Sequence, residues 1–178
     1  SGKRILWCPY YKRINERKAM KIHHYKTALE WTGNTGKGTE HYRSYNRNHE
    51  ISVTGKLHPI MGSSDPSFLG DASRYNPEEL FLSAISSCHM LWYLHLCSMH
   101  QITVMEYQDN ATGIMEEDEN GSGRFTAVTL YPNVKVNDAA MIAKANALHE
   151  EANIMCFIAN SCNFSIGHAP ITTVHEQL

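Results

Sequence analysis

The order of elements along this 178-residue chain predicts an α+β fold. Strand-like segments come in groups on either side of one long apolar helical stretch. A second, alanine-rich helical stretch follows much later, so the alternation of a βαβ repeat is absent. No internal repeat or linker interrupts the sequence, and its length fits one domain with a substantial core.

Residues 1–19 form a basic leader. Lys3, Arg4, Lys12, Arg13, Arg17 and Lys18, with Lys21 and Lys26 just beyond, are half of the 16 lysines and arginines. Strand-type patterning starts only after Met20, so the leader reads as a candidate non-native extension preceding a single domain over 20–178. Tyr25 to Trp31 reads as the first strand. The run Gly33-Asn-Thr-Gly-Lys-Gly38 lacks the phosphate-loop spacing and no helix pattern follows it, so it reads as a hairpin turn. Tyr42, Tyr45, Ile51, Val53 and Leu57 mark one or two further strands, and Pro59 to Tyr75 reads as a loop.

The strongest local signal comes next. Asn76 can cap a helix, Pro77 suits the first helical position, and Glu78 and Glu79 favour its positive end. Asn76 with Glu79 has capping-box spacing. The helix runs to about Met99 and is apolar on nearly every side, so other layers must wrap it: a sheet, or a subunit interface. Serines and histidines interrupt the apolar run, which marks it as a buried helix and not a membrane span. Strands are expected over 103–108, 111–116 and 123–136, with residues 117–123 as a solvated hairpin. A second helix over about 139–152, capped by Asn137 or Asp138, offers Ala140, Ala143 and Ala147 for close packing on the first. Phe164–Ile166 and Ile171–Val174 read as closing strands.

The net charge of -2 argues against a nucleic-acid partner, and the N-terminus lacks the apolar core of a secretory signal. Five cysteines, without paired metal-ligand or disulfide-scaffold spacing, suggest reduced thiols in the cytoplasm. Cys88 lies inside the long helix, too far from its start for the helix dipole to activate the thiol, so a reactive Cys88 needs a cation from elsewhere. Cys97 is half a revolution away and reads as core. Helix periodicity alone ties neither Cys156 nor Cys162 to Cys88. His89 and His95 are six apart and diverge, so Cys88, His89, His95, His149 and Cys156 make a poor metal set.

Three blocks carry a resemblance: Asn76-Pro-Glu-Glu-Leu80, Ser86-Ser-Cys88-His89 with the following Met-Leu-Trp-Tyr-Leu-His-Leu-Cys, and Cys156-Phe-Ile-Ala-Asn-Ser161. Together they resemble the OsmC/Ohr family of hydroperoxide-reducing proteins. The resemblance implies antiparallel sheets wrapped around a long central helix in an intertwined homodimer. It implies that Cys88 attacks the peroxide and Cys156 resolves it, with Glu78 orienting an arginine. The family's arginine positions fall on Asn34 and on Phe68 or Leu69, leaving Arg47 as the favoured substitute and Arg74 as the other. Asn153 and Cys162 also depart from the family pattern. The implied activity is reduction of an organic hydroperoxide by an external dithiol, without cofactor or metal, and Phe81, Ile85, Met90 or Phe157 would line an apolar site. A non-catalytic ligand-binding or stress-associated dimer of the same fold, and a metal-binding protein, are the rival expectations.

Overall fold

The structure, a computed structural model, describes residues 20–176. The basic leader and Cys8 lie outside the described residues. The fold comprises three three-stranded sheets and two helices. Strands β1 (Ala28–Trp31), β2 (His49–Ser52) and β3 (Ile60–Gly62) form an antiparallel arm. The third of these falls inside the segment expected to be a loop. All four residues of β1 are exposed in the single chain, including the apolar Leu29 and Trp31. The Gly33–Gly38 segment is a turn, as expected: the Asn34 side chain accepts hydrogen bonds from the Gly36 and Gly38 amides at 2.9 and 3.0 Å.

Helix α1 spans Pro77–Met99 with the anticipated start. The Asn76 side chain accepts from the Glu79 amide at 2.8 Å, and the Glu79 carboxylate accepts from the Asn76 amide at 3.1 Å. Two otherwise orphaned amides are thereby satisfied. By length and composition α1 meets the minimum for crossing a membrane. In this fold it is instead packed on α2 (Ile142–Met155) and on β4 (Val104–Asp109).

The segment 123–136 is two strands and not one. β6 (Gly123–Leu130) pairs with β5 (Thr112–Glu117) and β8 (Ile166–His168), whereas β7 (Pro132–Val136) pairs with β4 and β9 (Ile171–Val174). The chain changes sheets at Tyr131, whose amide donates to the Asp109 carboxylate at 2.7 Å, and Pro132 has no N–H to continue the first ladder. β8 and β9 join their sheets in parallel, so the sheets are mixed where all-antiparallel ones were expected.

Helix α2 also departs from expectation. Asp138 caps a short 3-10 turn, accepting from the Ala140 amide at 2.9 Å, and the α-helix proper follows it. Ala140, Ala143 and Ala147 are exposed; the buried stripe is Ala145, Leu148, His149 and Ala152. Both stripes have helical spacing, but only the second contains a large aliphatic side chain and leads on to Cys156.

Two hydrophobic cores lie along α1. One gathers Ile85, Val128, Leu130 and Ile166; the other gathers Tyr93, Leu96, Cys97, Val134, Val136, Ala145 and Leu148. Cys97 is therefore core, as expected. Between the two, on α1, sits His89, fully buried like His149 opposite it on α2. Their rings are parallel, with His89 Nε2 3.0 Å from His149 Nδ1, and Tyr93 stacks on His149 at 3.9 Å between centroids. Burial, and then repulsion from neighbouring imidazoles, lowers the pKa of His89 to about 4 and of His149 to about 3.

Two outcomes follow from this packing. Asn76→Ala should lower unfolding free energy by about 1 kcal/mol in urea melts through loss of the cap. Both histidines stay neutral in the fold yet bind protons near pH 6.5 when unfolded. While the two rings stay packed together, stability should therefore fall as pH drops below about 6.5, by up to about 1.4 kcal/mol per pH unit for each histidine. Denaturation at stepped pH should show this slope flattened in His149→Phe, which keeps the stacking but cannot take up the proton.

Candidate functional site

Cys88 occupies the shoulder of α1, between its buried stripe and its open face, and is partly accessible. Cys156 terminates α2 and is fully buried. The packing of α1 on α2 makes these thiols neighbours, although 68 positions separate them in sequence. Helix periodicity could not supply this adjacency, because the residues belong to different helices.

The two sulfurs have unlike surroundings. Burial raises the pKa of Cys156 to about 11, and neighbouring Cys88 adds to the rise. The Ala159 amide, donating to Cys156 Sγ at 3.4 Å, offsets only part of it. Cys156 is thus a thiol at neutral pH, held beside a more accessible sulfur. Cys162 is turned elsewhere: its thiol donates to the Ile158 carbonyl at 3.3 Å, and it packs on the Ile85 core.

Glu78 lies ten residues before Cys88 on the same continuous helix, an axial distance of roughly 15 Å. One of its carboxylate oxygens, Oε2, is buried without a hydrogen-bond partner. Four residues earlier, Arg74 Nη1 is likewise buried and unpartnered, while its Nε faces Asp71 at 3.5 Å. Arg47 is committed within its own loop. Its guanidinium donates to the Tyr42 and Tyr45 carbonyls, both at 2.6 Å, and lies 4.3 Å from each tyrosine ring centre. The fold of one chain therefore joins Cys88 to Cys156 and leaves Glu78 and Arg47 apart from them.

The anticipated apolar lining is redistributed. Ile85 is fully buried core, Phe81 packs tilted against Phe125 and edge-on against Phe164, and Met90 lines a groove on another side of α1 with Tyr107 and Asp109. Phe157, adjacent to Cys156, is exposed and packs edge-on against Trp92 at 5.5 Å. Trp92 stands one turn beyond Cys88 on the same helix face. These two rings form an apolar pair close to the cysteines in sequence; Phe157 is among the expected lining residues and Trp92 is an addition to them. Among the described residues, no group of three or more His, Cys, Asp or Glu side chains is placed to hold a metal ion.

Comparison with known proteins follows the same lines. Residues 70–168, more than half of the chain, match the family described as OsmC-like protein. Among solved structures, an OsmC-like protein of unknown function from Vibrio cholerae is 28% identical, with a TM-score of 0.75 over 84% of this chain and 100% of its own. An organic hydroperoxide resistance protein from Elizabethkingia anophelis shares the fold at 20% identity, with a TM-score of 0.61 over 88% and 100%. The organic hydroperoxide resistance protein OhrB of Bacillus subtilis does so at 18% identity, with a TM-score of 0.56 over 84% and 98%. No curated protein sequence matches this chain. With the paired thiols, the capped central helix and the matched segment in agreement, the chain belongs to the OsmC-like family.

Proposed function

We propose that this protein is a cytoplasmic thiol peroxidase that reduces organic hydroperoxides through Cys88 and Cys156. The observation that carries this reading is the asymmetric pair itself: a partly accessible sulfur beside a buried thiol held in its protonated form. Chemistry divides the roles accordingly. The Cys88 thiolate attacks the distal peroxide oxygen, the O–O bond breaks, and the alkoxide leaves to take up a proton as the alcohol. Cys88 becomes a sulfenic acid. Cys156 then attacks the Cys88 sulfur, its proton leaves with the hydroxyl as water, and a disulfide remains. An external dithiol returns both sulfurs to thiols and is itself oxidised.

The thiolate and the departing alkoxide both require a nearby cation. Glu78, with a buried oxygen lacking a partner, is suited to orient a guanidinium. Arg47 remains our first assignment for that role, reaching Cys88 across a homodimer. Arg74, four residues before Glu78 and also carrying a buried, unpartnered nitrogen, is the alternative within one chain. A homodimer is supported by α1, which is apolar on nearly all sides yet buries only Ile85, His89, Tyr93, Leu96 and Cys97 in a single subunit. The exposed apolar residues of the β1–β3 arm point the same way. Trp92 and Phe157 beside the thiols favour an organic group on the peroxide.

Treatment with one equivalent of cumene hydroperoxide, followed by peptide mass spectrometry, tests the reading. The parent should form a Cys88–Cys156 disulfide, and Cys156→Ser should retain a Cys88 sulfenic acid. Cys88→Ser should lose turnover by at least about a hundredfold, since the reacting nucleophile is gone. Unchanged thiols in parent and Cys156→Ser alike would remove the peroxidase reading and leave a non-catalytic binding protein of this fold. Arg47→Ala and Arg74→Ala should separate the two assignments: the operative arginine is the one whose loss slows Cys88 oxidation about a hundredfold or more.

A further inference from the structure

Behind the two thiols, three imidazoles from three elements converge: His89 on α1, His149 on α2 and His168 on β8. Ring centres lie 5.3 to 6.1 Å apart. Each ring has one buried nitrogen without a partner: His89 Nδ1, His149 Nε2 and His168 Nδ1. Carboxylates bound the cluster on both sides. Asp109 on β4 lies close enough to His89 to favour its charged form, and Glu150 on α2 faces His168 Nε2 at 3.3 Å. Tyr93 and Tyr107 complete the surroundings from α1 and β4, both held neutral by burial.

The cluster's position in the chain is as informative as its composition. His89 adjoins Cys88 in sequence, and the α2 helix that carries His149 ends at Cys156. The hydrogen bond between the two rings therefore spans the same helix–helix contact that holds the two sulfurs together. We propose that His89 and His149 are positioning residues that clasp α1 to α2 while neutral, and that acid opens the clasp and separates Cys88 from Cys156.

The chemistry of the pair sets how it opens. One of the facing nitrogens, His89 Nε2 or His149 Nδ1, carries the shared hydrogen and the other accepts it. A first proton can enter at an unpartnered nitrogen and leave that bond intact. A second puts hydrogens on both facing nitrogens, which removes the bond and sets two cations against each other in a buried seam. Asp109 can balance one of them, and the other drives the helices apart. Oxidative coupling of the thiols would then fail in acid while each cysteine stays chemically intact.

This inference gives a regulation to the thiol pair of the proposed peroxidase, but its test needs no peroxide. The protein is equilibrated with reduced and oxidised glutathione from pH 7.5 to 4.5, approached from both the oxidised and the reduced side. The Cys88–Cys156 disulfide is then counted by peptide mass spectrometry. Forming it consumes one glutathione disulfide and releases two glutathione thiols, so with every thiol protonated the equilibrium itself takes up no protons. Any thiolate at Cys88 would raise the disulfide fraction as acid is added. The clasp instead predicts that the equilibrium constant falls at least tenfold between pH 6.5 and 4.5, by up to about tenfold per pH unit for each linked proton. Far-UV circular dichroism should stay unchanged over that range.

His149→Phe should flatten the dependence. If that variant does not fold, ring resonances of His89 and His149 in the parent must titrate over the same interval as the disulfide ratio. A ratio that stays constant or rises, a fall that coincides with global loss of helix, or histidine titration in another interval would each overturn the clasp. Absence of peroxide turnover at pH 7.5, with the acid-dependent ratio intact, would remove the peroxidase reading alone.

Discussion

The packing of α1 on α2 is the constraint on which the rest of this structure depends. It closes the core around Tyr93, Leu96 and Leu148 and brings together two cysteines far apart in sequence. A large aliphatic stripe meets a helix that is apolar nearly all round, so hydrophobic burial supplies the attraction without specifying a register. Register comes from the polar pair at the seam. Each buried imidazole has its good hydrogen bond only when His89 and His149 face each other, and a slip of either helix would bury both without it.

The same contact gives the two sulfurs different characters. Cys88 sits on a helix shoulder where water and a second molecule can approach. Cys156 sits at a helix end pressed into the interior, where charge is disfavoured. No metal ion or cofactor is needed to make them different, because unequal burial does so. In the proposed function this asymmetry sets the order of oxidation, the accessible sulfur first and the buried one against it.

How much of this could be read from the chain varied with the range of the interaction. The start of α1 was legible because Asn76, Pro77 and Glu79 act over three residues, and they are found doing what their positions suggest. The sheet change at Tyr131 has a local signal in Pro132, but strand-type residues continue on both sides of it, so the segment reads as one strand. The choice between two alanine stripes on α2 depended on what α1 presents, which periodicity does not contain. The histidine cluster was least visible, since its members come from three elements and only the fold aligns them. The cation proposed for Cys88 rests on resemblance, and Arg47 is engaged in its own loop within one chain.

The passage of one continuous segment from the β6 sheet to the β7 sheet has a consequence for how the chain can vary in length. Side chains alternate faces along a strand, so one residue more or fewer between Leu130 and Pro132 would turn Val134 and Val136 out of the core together. The acidic hairpin at residues 117–123 carries no such constraint: it joins two paired strands at a solvent-exposed tip. Two connections of the same sheet therefore tolerate length change very differently. Insertions in relatives, or engineered tags placed within the chain, belong at the hairpin, while the sheet crossing keeps its count of residues.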